Sequence, residues 1–399
     1  MAFSSLPSRL ADFGQQLERQ LQTERPEGAD RFGWRCFQLG VFLLPASAFL
    51  GAVLLFLSLV QGSRRRAPWW SDGCNRWLLA ISVLMLVGCL GSYSGWLAWV
   101  GLGNWVPFFW GFWGFQPYVA TARARRRAGL WFLAGTVPVI VTGLGQLYLG
   151  WAGPWQLFGG LIPWWITSGG NPPGRLSGLF DYANITGAWL ALVWPFSLAA
   201  LLQRPLPWQR RALALVLAAS LVASLYLTDS RNAWGALVLA LPIVVGPASW
   251  LWLLPLLLLA LGAVAVGLIG ERPWLGWGAA AFSLIYPLRT GHWHGHTHNL
   301  PIDLAISFGL PVAAMVIGLV GWLLLRAVRL GMLQAPVFER AWWAAALVLV
   351  ALHATDMPLY DSRINIAGWI LLAGLRCVGN GAGQRPAESA SQTADQGAT

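Results

Sequence analysis

Lysine is missing altogether: all 26 basic residues are arginine, set against only 15 acids. Charge of either sign is scarce, at 10% of 399 residues, where an ordinary soluble domain carries about 25%. A soluble chain of this length could not cover its surface with so few charges, which excludes that class and leaves an integral membrane protein. Cysteine is sparse and scattered. Cys36, Cys74, Cys89 and Cys377 form no CxxC pair and no metal-ligand spacing, which excludes a disulfide framework and a cysteine-held zinc. The segment Met1–Arg35 alternates charges of both signs without an apolar core, so it is not expected to be a cleavable signal peptide.

What the chain has instead is apolar residue, 57% of the total, with 27 tryptophans. Uncharged runs near the length of a membrane crossing are bounded by arginines. They fall at 38–61, 77–95, 97–119, 129–150, 183–202, 212–228, 232–247, 250–270, 303–325, 341–355 and 364–378. The first contains Pro45 followed by small residues and reads equally as two short half-helices. The expected fold class is all-α: a polytopic integral membrane protein with roughly 10–12 transmembrane helices and one larger outer loop. Residues 1–37 form a polar N-terminal segment, 38–378 the membrane domain, and 379–399 a Gly/Ala/Ser/Gln-rich tail expected to be disordered.

The arginines argue topology. If spans alternate, the groups 64–66 and 76, 123–127, 204–211, 326–340 and 376–385 share one side and hold 16 of the 26. The other side holds Arg175, Arg231, Arg272, Arg289 and Arg363. The crowded side is then cytoplasmic, and the net charge of +11 is topological rather than a nucleic-acid footprint. The five arginines before the first span leave the N-terminus unassigned. Three distant regions converge on the outer side: 151–182, 229–231 and 271–302.

The outer regions contain the residues that could carry chemistry. Four of the five histidines lie in Gly291-His-Trp-His-Gly-His-Thr-His-Asn299. Histidines 292, 294, 296 and 298 alternate, so an extended segment would put all four on one face. Imidazole is a common metal ligand, but no carboxylate or cysteine of known ligand spacing accompanies the run; a single catalytic histidine is the preferred reading, and a merely polar loop the plain one. Arg231, in Thr228-Asp229-Ser230-Arg231, opens an apolar span. It is either a snorkelling anchor or a bidentate ligand for phosphate oxygens at the membrane surface. Arg175 precedes another span, with Asn184 or Asp181 as candidate caps. The Gly/Trp-rich stretch Glu271–Ala279 is a weak phosphate-cradle signal that an aromatic belt explains as well. His353, Asp356, Asp361 and Arg363 cluster at the outer end of the last two spans, as a functional cluster or an ion-paired cap.

The segment His296-Thr-His-Asn299, followed by an apolar helix with Gly309-Leu-Pro, resembles the His-x-His-Asn signature of the O-antigen ligase/polymerase superfamily of bacterial envelope glycosyltransferases. The Ser230-Arg231 step and the Gly178-Leu-Phe…Asn184 step match that family in order and spacing, and the resemblance spans roughly residues 130–378. It implies a multi-span inner-membrane protein whose large loop, here 271–302, is periplasmic. It implies transfer of a saccharide from an undecaprenyl-pyrophosphate carrier to a hydroxyl acceptor glycan, among membrane lipids and without a metal or other cofactor. Arg175 and Arg231 would hold the pyrophosphate, and His298, with His296 in reserve, would be the general base or the residue that positions the acceptor. Asn184, Ser230 and Asn299 would support them. The loop at 271–302 is short for the family, and His292 and His294 are additional. The superfamily also holds O-antigen polymerases and bicarbonate-type anion transporters. A transporter should carry ionisable residues at mid-membrane depth, and these spans are nearly free of them.

Overall fold

The computed structural model describes residues 25–64, 69–160, 162–246 and 263–379. Helix makes up 71% of it and strand 2%. Among the described residues, five helices are long and apolar enough to cross a membrane: Gly73–Leu90, Ala122–Tyr148, Ala183–Leu202, Trp208–Leu227 and Leu300–Arg329. That architecture is compatible with an all-α, multi-pass membrane protein. The first 24 residues, Arg65 and Arg66, most of the run expected at 250–270, and the tail from 380 lie outside the described residues.

The run expected at 38–61 is two helices. α1 (Arg31–Leu43) and α2 (Ala48–Arg64) pack on each other as a hairpin turned at Pro45. Proline has no amide hydrogen to continue a helix, which is why the chain reverses there. α1 starts at Arg31 rather than 38 because Asp30 caps it, its carboxylate accepting from the Gly33 amide at 2.9 Å. The polar N-terminal segment therefore gives up its last residues to the helical domain. α3 (Gly73–Leu90) follows. The run expected as one span at 97–119 is broken into α4 (Trp96–Gly101), α5 (Val106–Gly114) and two 3₁₀ turns. Gly101, Gly103 and Pro107 interrupt it, and Pro107 suits the first turn of α5, where an amide has no helical partner.

α6 (Ala122–Tyr148) leads through a two-stranded hairpin, β1 (Trp155–Leu157) paired with β2 (Ile162–Trp164), to α7 (Ala183–Leu202). α7 has the limits its apolar run predicts, and 78% of an 18-residue apolar stretch within it is buried, against 28% for the corresponding stretch of α8 (Trp208–Leu227). α7 packs against α6, α8, α9 (Arg231–Val245) and α13 (Val337–His353). A helix apolar on every face is one surrounded by others. Its Trp189 and Phe196 lie against Phe132 of α6, with Phe196 also meeting Trp342 of α13.

Helix ends meet in pairs. Arg125 at the start of α6 lies against Glu339 at the start of α13, Nη2 to Oε2 2.5 Å, both side chains buried. Arg126 reaches Gln203 beyond α7 at 3.1 Å, and Arg340 reaches the Val244 carbonyl of α9 at 2.9 Å. Arg376, near the end of α14 (Ser362–Cys377), pairs with Asp72 at the cap of α3, 2.9 Å. Basic segments far apart in the chain are thus tied to one another.

The stretch 271–302, expected as one loop, holds more structure than that. α10 (Ala263–Glu271) precedes it, α11 (Ala281–Thr290) lies inside it, and α12 (Leu300–Arg329) begins before it ends. α12 is kinked at Gly309, φ 87° and ψ 166°. Pro311 cannot donate to the Ser307 carbonyl one turn back, so the helix opens. The segment Arg272–Gly278 fills the opening: the amides of Trp277 and Gly278 donate to the carbonyls of Ile306 and Ser307 at 2.8 and 2.9 Å, and Leu310 donates to Pro273 at 2.7 Å. A Cβ on Gly309 would stand 2.3 Å from the Trp274 carbonyl, so only glycine admits this contact. The Gly/Trp-rich stretch therefore braces α12. Its amides at 277 and 278 are spent on α12 carbonyls, so those two are not open to a phosphate.

Candidate functional site

The site is organised by the turn between α13 and α14. Ala354, Thr355 and Asp356 are each bonded from one of two sequence-distant segments, the histidine loop and the start of α9. Asn299 Nδ2 donates to the Ala354 carbonyl at 2.8 Å, Asn232 Nδ2 to the Thr355 carbonyl at 3.3 Å, and His298 Nδ1 faces Asp356 Oδ1 at 3.3 Å. The histidine loop and the segment beginning at Arg231 are joined through three consecutive residues.

The histidine loop is not extended. His298 has φ +54°, in the left-handed region that a non-glycine residue seldom adopts. This fold-back breaks the expected alternation, and three imidazoles converge rather than four lining one face. The rings of His296 and His298 lie 4.2 Å apart, His294 and His298 6.3 Å, and His294 packs on Tyr286. Exposed His292 stays out of that ring cluster. Asn299 caps α12, its Oδ1 accepting from Ile302 at 3.1 Å, which leaves its amide group for Ala354. Burial, and then the neighbouring His298, holds the His296 imidazole below its ordinary pKa, so it stays neutral to lower pH than a free histidine. Asp356 also accepts from the Met357 amide at 2.8 Å, which fixes the carboxylate against His298.

Beneath the loop, Asp303 sits one turn into α12 and is only 8% exposed. The Tyr360 hydroxyl donates to it at 3.3 Å, and the Tyr360 ring lies 6.1 Å from that of His296. The sequence signal for Asp303 is an acid at the first position of an apolar run.

The guanidinium residues separate in role. Arg175 donates from Nε to the Thr228 carbonyl at 2.8 Å and from Nη2 to Asn184 Oδ1 at 2.6 Å and the Asp229 carbonyl at 3.0 Å. It clamps the 151–182 region to the turn before α9, as the convergence of 151–182 on 229–231 requires. Neither Asn184 nor Asp181 caps α7: the cap position is Tyr182, with no side-chain bond, and Asn184 serves Arg175 instead. Gly178, at φ +57°, lets this loop lie on α6, where Gln146 accepts from its amide at 2.8 Å. Arg231 is exposed at the first position of α9, after a buried Ser230 whose side chain makes no cap bond. Arg231 makes no hydrogen bond or ion pair among the described residues.

The four-residue cluster at the ends of α13 and α14 comes apart, with buried His353 turned back on the Leu349 carbonyl of its own helix at 2.7 Å. Asp361 caps α14 through the Arg363 amide and binds the Arg363 guanidinium at 2.5 Å, and Arg363 lies over Phe180 and donates to the Leu179 carbonyl. That pair is a structural tie to the Arg175 loop. Asp356 belongs with the histidines. Comparison with known protein families and with curated proteins finds no match for the chain.

Proposed function

We propose that the protein is a membrane glycosyltransferase of the O-antigen ligase type, multi-pass in a bacterial inner membrane and active on its periplasmic face. The reaction moves a saccharide from an undecaprenyl-pyrophosphate carrier to a hydroxyl acceptor glycan. The observation that carries this reading is the Asp356–His298 pair, held on the turn that also anchors the segment of Arg231. A carboxylate at Nδ1 keeps the proton there and leaves Nε2 as a base. His298 Nε2 takes the acceptor hydroxyl proton as the oxygen attacks the anomeric carbon. The bond from that carbon to the pyrophosphate breaks, and its electron pair leaves on the carrier. The unpaired Arg231 guanidinium meets that leaving charge. Arg175, its Nε and Nη2 committed to the protein, holds the loop and keeps Nη1 for the same phosphate.

An apolar groove of about 200 Å³ between α12, α13 and α14 supports a lipid-linked substrate. Leu304, Val316, Leu324 and Leu372 line it, and it reaches Leu300 and Ala354, beside the histidine loop. The pairing of basic helix ends supports the arginine-derived orientation. α1 begins beside Tyr118, which precedes the basic start of α6, and the α1–α2 turn is bonded by Trp164 Nε1 to the Ala46 carbonyl at 2.6 Å. This reading puts the start of α1 on the cytoplasmic side.

Two measurements test the proposal. A cysteine replacing Gly295, in a background lacking the four native cysteines, should react with an impermeant thiol reagent in cells whose inner membrane is intact. Reaction only after that membrane is permeabilised would place the site on the wrong side. Separately, Arg231→Lys should lose most transfer while inserting normally, because an ammonium keeps the charge but not the planar fork. Wild-type transfer in both Arg231→Lys and Arg231→Ala would return Arg231 to a membrane anchor.

A further inference from the structure

The histidine loop brings together more imidazole than one proton transfer uses. We propose that His296, His298 and Asp356 form a binding site for a divalent transition cation of the zinc class. One ligand atom from each of the three lies within 4.8 Å of the other two. Around a tetrahedral zinc with bonds of about 2.0–2.1 Å, ligand atoms stand about 3.3–3.4 Å apart. His298 Nδ1 and Asp356 Oδ1 are already at 3.3 Å, so one edge of that tetrahedron is preformed. The other edges close by rotating the part-exposed His296 side chain, whose Nδ1 accepts from the His298 amide at 3.3 Å.

The chemistry of the donors selects the ion. Calcium and magnesium take oxygen ligands, whereas two imidazoles with one carboxylate suit zinc, nickel or copper. Three protein ligands leave one position for water or for His294, whose ring stands 6.3 Å from that of His298. Asp356 is held in place by the Met357 amide at 2.8 Å, and no guanidinium binds it among the described residues. A carboxylate steadied by a backbone donor is a better ligand than a free one. The sequence offers no carboxylate of known ligand spacing beside the histidines; the fold brings one from 58 residues away. This site goes beyond the transfer reaction and excludes it while occupied, because a metal on His298 Nδ1 displaces the proton that Asp356 holds there.

The test is zinc titration of the chelator-stripped protein in detergent, with no saccharide present. The expected result is one equivalent of Zn²⁺ bound, with no binding of Mg²⁺ or Ca²⁺ at the same concentration. His296→Gln, His298→Gln and Asp356→Asn should each weaken zinc by more than about 100-fold, beyond the roughly 10–100-fold loss usual for residues that only support a ligand. His292→Ala should bind as the wild type does. Thermal unfolding of each variant without metal separates a lost ligand from a misfolded protein. No bound equivalent in the wild type, or undiminished zinc in the variants that fold, overturns the site. Zinc bound by a protein that never transfers saccharide would sink the glycosyltransferase reading alone.

Discussion

His298→Ala should lower saccharide transfer by about 10²–10⁴-fold, the range of general-base assistance, with the protein inserted at wild-type levels. Asp356→Asn should fall in the same direction. The amide keeps the shape of the carboxylate but cannot stabilise the imidazolium formed as the proton arrives. The bond at 3.3 Å between His298 Nδ1 and Asp356 makes this pair, rather than His298 alone, the unit to test. His292→Ala should be close to wild type, since that side chain stays out of the convergence. His296→Ala should be intermediate, because its ring packs 4.2 Å from His298 and supports its position. Accumulated lipid-linked glycan in cells and transfer by the purified protein are the readouts. Full transfer by His298→Ala with loss in His296→Ala would move the base two residues. Full transfer by all the histidine variants would end the histidine mechanism.

Glu339→Ala should destabilise the protein by about 3–5 kcal/mol, the usual cost of stranding a buried charge. The Arg125 guanidinium lies 2.9 Å by Nε from Glu339 Oε1 and 2.5 Å by Nη2 from Oε2, with its Nη1 on the Val119 and Ala120 carbonyls. Both side chains are less than a tenth exposed. Removing the carboxylate leaves a cation with nowhere to be solvated, and arginine cannot shed its proton to escape. Glu339→Gln should cost less because it still accepts one bond. Replacing both residues by apolar ones of similar volume should recover most of the loss. Thermal unfolding in detergent measures the series. A Glu339→Ala midpoint equal to wild type would mean that water reaches the pair.

How much was legible follows from the range of each interaction. The limits of α7 were readable to the residue, because an uninterrupted apolar run and the basic turn after it are local facts. The split at Pro45 was readable as an option, and the hairpin it makes was not, since two helices can follow a proline at any angle. The break between α4 and α5 does not show in the sequence, because apolar composition outweighs Gly101, Gly103 and Pro107 over one uncharged run. In the site, the convergence of the Arg175 loop on the turn before α9 followed from counting spans, and the structure joins them through Thr228 and Asp229. A cap at Asn184 is the local reading, whereas the partner that tertiary contacts supply is the guanidinium of Arg175, the residue the resemblance has it support.

By itself the sequence determined that this chain is helical and apolar, where most of its helices lie, and that its arginines are unequally divided between loops. Those are properties of composition and of runs within one segment, and burial or exposure of a whole segment reads them out. Only the tertiary structure decided which arginine is without a side-chain partner among the described residues and which is a strut, since Arg175 and Arg231 look alike in their sequence settings and differ in what surrounds them. It also decided that Asp356, rather than Asp361, faces the histidines, and that Arg125 is buried against a carboxylate 214 residues away. Pairing between distant residues depends on how helices pack, and neither local periodicity nor spacing encodes that geometry.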